Sequence, residues 1–160
     1  MDAAWRLMTE ADLPAVVALA DRLHPHHPEA PAVFAERRAL APLGCRVLAL
    51  GDRLLGYAVG HPWTGEGPPL LDSLLGSLPA RPGAWHLHDI ALVPAARGAG
   101  HAAAVLRSLL ADPSPLRTTL VAIPGSGAYW ARHGFRDVPV RDPLALATYG
   151  EGARFMARPA

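Results

Sequence analysis

The run WHLHDIALVP at residues 85–94, a short spacer, and RGAGHA at residues 97–102 opening an Ala- and Leu-rich segment constrain this chain more than any other stretch. A strand is handing over to a helix there. Gly98, Gly100 and Ala102 alternate across the junction, so backbone N–H groups can approach a ligand without obstruction by Cβ atoms. The first amides of a helix lack intrahelical partners and carry the positive end of its dipole, which makes the turn an anion site suited to phosphate.

Several nucleotide folds use such a turn, and the flanking residues choose among them. Gly98, Gly100 and Ala103 satisfy the dinucleotide pattern GxGxx(G/A), which is weak by itself. A Rossmann unit needs its glycines directly after the first strand and an acid about twenty residues later, at the end of the second. Here Pro94 to Arg97 intervene, and the next strand-like run, TTLVAI, reaches Pro124-Gly125 without an acid. No Gly-Lys-Ser/Thr follows the glycines, which excludes a Walker loop.

With 160 residues, 51% of them hydrophobic, the chain suits a single domain spanning 1–160 with a substantial core. A formal net charge of +1, with basic residues scattered, argues against nucleic acid as a partner. Lone Cys45 in CRVLAL reads as a buried strand thiol, so no disulfide framework exists and a cytoplasmic setting is expected. No apolar run approaches the ~20 residues of a membrane span, and no signal peptide is apparent.

Thr9 and Asp12 are helix N-caps, with Pro14 in the first turn and Leu13, Val16, Val17, Ala20 and Leu23 at helical spacing. A loop, HPHHP, ends that helix, and Pro31 starts a second over about 32–40. Strands at 46–50 and 54–60 flank a Gly51-Asp52 hairpin of open turn type. Residues 61–83 form a long Pro/Gly-rich connection around LLDSLLGSL, with a short helix expected inside it. After TTLVAI come a helix around 127–133 stopped by Gly134 and closing strands at 135–140 and 153–158.

The spacing RxxGxA at Arg97, Gly100 and Ala102 resembles the (Q/R)xxGx(G/A) pyrophosphate motif of the GNAT family of N-acetyltransferases. RLMTEAD at 6–12 is similar to that family's usual opening, and YWARHGF at 129–135 to its (F/Y)YxxxGF signature. The resemblance runs end to end. It implies an α/β fold: a single GNAT-type domain with a mixed central sheet of six to seven strands, about four flanking helices, and a splay between the fourth and fifth strands. It also implies acetyl-CoA as cosubstrate and no metal. The pantetheine arm would pair with Ala91, Leu92 and Val93, and the pyrophosphate would lie on Arg97, Gly98, Ala99, Gly100, His101 and Ala102. Ser126 stands in for the family's frequent Asn, and Trp130 occupies the position of its usual tyrosine acid. Dimers are common in the family, which leaves a homodimer open.

Acetyl transfer needs a base for the acceptor's ammonium. His86 and His88, two apart on one strand, share a face at about 6.5–7 Å, and histidine is mostly neutral at neutral pH. Their HLH triplet is similar to that of arylalkylamine N-acetyltransferases, which implies a proton relay. Packing in the core is an equal alternative. Asp89 is expected on the opposite face unless a bulge intervenes. An indole cannot deliver a proton, so Trp130 removes the usual acid and leaves Tyr149 as a more distant candidate. His24, His26 and His27 read first as a solvated loop rather than a metal site. Trp63, Trp85 and Trp130 either wall an acceptor pocket or fill the core. The expected activity is direct transfer of acetyl from CoA to the primary amine of a small molecule. The alternative is a degenerate member that binds acyl-CoA without turnover.

Overall fold

The computed structural model describes residues 2–110 and 116–160. In chain order the elements are β1 (Ala4–Leu7), α1 (Leu13–Leu23), α2 (Pro31–Leu40), β2 (Cys45–Leu50), β3 (Arg53–Trp63) and β4 (Ala84–Leu92), then α3 (His101–Leu109), β5 (Arg117–Ala122), α4 (Gly127–Arg132), β6 (Arg136–Asp137), α5 (Pro143–Ala147) and β7 (Arg154–Arg158). One seven-stranded sheet runs β1-β2-β3-β4-β5-β7-β6. Every pairing is antiparallel except β4 with β5.

Local chemistry explains most boundaries. The Asp12 carboxylate accepts from the Thr9 N–H at 2.8 Å and pairs with Arg6 at 2.7 Å, fixing the turn that leads into α1. Its pKa falls to about 2, chiefly because Arg6 bonds it. The β2–β3 hairpin closes through Gly51 and Asp52 with Leu50 opposite Arg53. Gly51 has φ +59° while Asp52 stays outside the positive region, so the turn is of the II′ kind. Gly134, at φ +88°, ends α4 as a C′ residue.

Three elements differ from the sequence reading. LLDSLLGSL forms no helix: its backbone groups bond to neighbouring loops instead, as described below. The strand expected at 135–140 shrinks to Arg136–Asp137, because Pro139 lacks a donor and the chain turns away. A fifth helix, α5, starts where Asp142 accepts from the Leu144 N–H and Pro143 sits in the first turn.

The sheet is covered on both faces. Under α1 and α2 pack Val16, Leu19, Phe34, Cys45, Val47, Tyr57 and Val59. Val105 and Leu109 of α3 cover Ala58 on the other face, and Leu106 joins Trp130 and Phe135 over Leu87 and Leu120. Cys45 is fully buried, and burial pushes its thiol up to about 12, so it is inert packing.

Candidate active site

β4 and β5 pair only from Ala84–Leu87 against Arg117–Leu120. Beyond Leu87 the two strands part, and the β4 edge from His88 to Leu92 faces open space. A cleft of about 570 Å³ fills the gap. It runs from the Arg97–Ala102 turn, along Asp89 to Leu92, past Leu120, Val121 and Ile123, and ends among His24, His27, Glu29, His88 and Tyr149.

The turn end is made of backbone. Gly98 and Gly100 have φ +80° and +83°, and a Cβ added at either would meet no protein atom. Both glycines line the cleft. The first intrahelical bond of α3 runs from Ala104 N–H to Gly100 O, leaving the preceding amides for a ligand. The Trp5 indole donates to His101 O at 2.9 Å and anchors this helix start. Arg97 folds back, its Nε donating to Leu92 O at 3.1 Å. Of the expected coenzyme residues, Ala91, Leu92, Arg97, Gly98, Gly100, His101, Ala102, Ser126 and Trp130 line the cleft. Val93 does not, because its side chain is in the core and its N–H bonds to Leu55 O. Ala99 is exposed on the outside of the turn. Free helix amides, an unpaired strand edge and Cβ-free glycines fit a pyrophosphate with an extended amide-bearing arm.

The opposite end is made of side chains from distant segments. His88 Nε2 lies 2.7 Å from Glu29 Oε1. A carboxylate only accepts, so Nε2 carries the proton and Nδ1 holds the ring's lone pair. That Nδ1 is buried without a protein partner among the described residues. Next along the strand, Asp89 pairs with His24 Nε2 at 3.0 Å and accepts from the Tyr57 hydroxyl at 2.6 Å. Asp89 raises the His24 pKa through this bond, against burial. Burial would raise Asp89 itself, but His24 and Tyr57 outweigh it and hold the carboxyl below its ordinary range.

A bulge brings the two pairs together. Gly60 pairs with Leu87 and Val59 with Asp89, so His88 is an extra residue in β4. Parity reverses there. Asp89 therefore reaches the same cleft as His88, rather than the opposite face that simple alternation assigns.

His86 and His88 do share a side, with ring centres 6.3 Å apart. His86 nevertheless stands behind the cleft wall, 1% exposed, with Nδ1 2.9 Å from Thr119 Oγ1. Burial, then the charges of His61 and His88, drive its pKa well below the usual value. His61 lies across the sheet from it and is held down to about 3 by burial. Both are neutral core imidazoles, so the expected His86 role at the cleft gives way to packing. Tyr149 lines the cleft, but its hydroxyl already donates to Pro69 O at 2.8 Å, and burial raises its pKa. That engaged proton removes it as the acid. Tyr129, half-buried beside Trp130, is the other phenol in the wall.

His24 and His27 are wall residues rather than a solvated loop, whereas His26 is exposed. Of the tryptophans, Trp130 lines the cleft, while Trp85 packs between β3 and α3. Glu29 carries no recognisable motif; only its long-range bond to His88 marks it. Glu29 and Asp89 together place two carboxylates at this end of the cleft. Among the described residues no group of three His, Cys, Asp or Glu is placed to hold a metal ion, and no helix is long and apolar enough to cross a membrane.

A splayed sheet joined to a glycine turn and a histidine–carboxylate pocket is the architecture of an acyltransferase domain. The Acetyltransferase (GNAT) family model matches residues 7–116, and the chain belongs to that family. Its fold is similar to that of the GphF GNAT-like decarboxylase in complex with isobutyryl-CoA, at 18% identity, 98% of each chain covered and a TM-score of 0.77. It is also similar to the loading GNATL domain of CurA from Lyngbya majuscula, at 13% identity over 99% and 98% of the chains, TM-score 0.75. Naa50 of Arabidopsis thaliana, in complex with the bisubstrate analogue CoA-Ac-MVNAL, aligns at 12% identity over 98% and 97%, TM-score 0.69. No curated protein matches the chain significantly.

Proposed function

We propose that the protein moves an acetyl group from acetyl-CoA to the primary amine of a small molecule by direct attack, without an acyl-enzyme. The observation that carries this reading is the single cleft joining the glycine turn, the free β4 edge and the Glu29–His88 pair. Glu29 orients the imidazole by accepting from Nε2. His88 takes one proton from the ammonium through Nδ1, by way of a water. The freed amine attacks the thioester carbonyl carbon, forming C–N. Collapse of the tetrahedral oxyanion breaks C–S, and the second nitrogen proton goes to the departing thiolate. A thiol pKa near 8.5 lets CoA leave with little acid assistance, which suits Trp130 at the usual acid position.

Calorimetry and turnover test this. Acetyl-CoA and CoA are expected to bind; binding of NAD(P)H without CoA would overturn the reading. An amine screen read by free-thiol release then tests transfer. The chain has no lysine, so side-chain self-acetylation gives no background. A second reading, coenzyme binding without transfer, draws on Trp130 and on the engaged Tyr149 proton; binding with no thiol release across the panel would establish it. Because one structural relative is a decarboxylase, a β-carboxylated acyl-CoA belongs in the same assay. Carbon dioxide release without thiol release would redirect the assignment.

A further inference from the structure

We infer that Asp72 is a positioning residue for the proton transfer, holding Glu29 against His88 Nε2. This rests on the acyl-transfer reading above and adds a residue to its machinery. Among the described residues Asp72 is the one non-glycine with a positive φ, +55°. Aspartate tolerates that left-handed conformation better than most side chains, and it persists where surrounding bonds over-determine it. Two bonds do so here. The Asp72 N–H donates to Glu29 Oε2 at 3.1 Å, and Asp72 Oδ1 accepts from the Ala30 N–H at 2.6 Å. One residue thus grips Glu29 by its side chain and the following residue by its backbone. Glu29 Oε1 is left for His88 Nε2 at 2.7 Å.

The grip matters because nothing else aims these groups. Glu29 lies in a loop, where fixing a long side chain costs conformational entropy. His88 Nδ1 has no protein partner, so among the described residues Glu29 alone bonds the ring. Arg37 is fully buried nearby, and the charge of Glu29 is the largest influence opposing the lowering of its pKa by burial. Its Nη1 donates to Ser73 O at 2.9 Å and to Glu36 Oε1 at 3.1 Å, not to Glu29. Arg37 therefore steadies the Glu29 charge without directing its oxygens; the Asp72 N–H does the directing. Asp72 is itself fixed from both sides. The Leu71 N–H donates to Thr148 Oγ1 at 2.9 Å, and the Leu75 and Gly76 N–H groups donate to Glu36 at 2.6 and 3.0 Å.

The test uses the full chain. In the resting protein the Nε2 proton of His88, bonded to a buried carboxylate, should give a nuclear magnetic resonance signal well downfield of the amides, identified by its loss in His88→Gln. Asp72→Gly keeps the positive φ without steric cost and deletes the carboxylate; its signal should move upfield or vanish into solvent exchange, with acetyl-CoA affinity within about twofold. Asp72→Asn keeps an Oδ1 acceptor and tolerates the same φ, so it should restore the signal. Thiol release is then followed with butylamine, an ammonium at neutral pH, and with methoxyamine, which is already neutral. Asp72→Gly should lower kcat about tenfold with butylamine and less than about threefold with methoxyamine, whose lone pair needs no base to free it. An unmoved signal overturns the inference. So does a moved signal with unchanged kcat, or an equal loss with both amines, which marks a structural role. Silence of the unmodified chain with both amines, while the signal moves as expected, counts against acyl transfer and leaves the tie standing. If Asp72→Gly fails to fold, Ala30→Pro decides: proline suits the φ of −63° there and removes the donor of the same bond, so an unmoved signal in that variant overturns the inference.

Discussion

The two ends of the cleft are built on opposite principles. At the turn, the working parts are amides and glycines within a dozen consecutive residues, exposed and nearly free of side-chain chemistry. At the other end, Glu29, His88, Asp89, His24 and Tyr57 come from three separate stretches of chain and are largely buried. The turn will accept any ligand with the right anion. The buried pairs discriminate, because each polar group left unmatched there costs about 1–3 kcal/mol.

This division can be broken first at His88. His88→Ala should lower kcat about 10²- to 10⁴-fold and change the pH profile, with acetyl-CoA affinity nearly unchanged. An equal loss of coenzyme affinity would show that the ends are not separable.

Acid should act next, through the imidazoles buried behind this end. His61 and His86 have folded pKa values below the unfolded value near 6.5, so the unfolded chain binds more protons as pH drops. Their stabilisation is complete above that value and is lost as pH falls toward about 3 for His61. At pH 5 this amounts to about 2 kcal/mol for His61, and His86 acts in the same direction. Urea unfolding at pH 7.5 and pH 5 measures it, and equal midpoints would contradict neutral burial. The His24–Asp89 pair has a different window. Its His24 contribution fades as pH rises through the raised His24 pKa, and its Asp89 contribution fades as pH falls through the lowered Asp89 pKa.

A smaller effect sharpens the turn. Gly100→Val forces a β-branched side chain to φ +83°, at roughly 1–2 kcal/mol. Acetyl-CoA affinity should drop about fivefold or more while the acceptor KM holds, and calorimetry on the variant decides. The smallest effect belongs to Arg97→Ala. Its guanidinium is exposed, so the loss of coenzyme affinity should be only a few-fold and should vanish at high salt. Salt-independent loss would mean that its bond to Leu92 O shapes the turn.

The element order, the glycine turn and most helix boundaries were legible in the chain because their causes lie within a few residues: Thr9 with Asp12, Gly51 with Asp52, Gly134 after α4. The short helix expected around LLDSLLGSL does not form, for the complementary reason. Its apolar spacing permits a turn of helix, but its amides bond to Thr148, Glu29 and Glu36 far along the chain. Tyr149 is the distant candidate acid left by Trp130 at the usual tyrosine position, and Pro69 O claims its proton. Glu29, flanked by prolines in a loop, offered no local signal at all.

By itself the sequence marked the turn where the proposed coenzyme's phosphates would lie, since backbone amides freed by glycine and a helix start need no distant partner. Only the tertiary structure decided the chemistry opposite. One extra residue in β4 turned Asp89 into the cleft beside His88, and sheet pairing buried His86 behind it. Alternation along a strand can be read from sequence, but a bulge depends on the partner strand, and burial depends on everything packed above it.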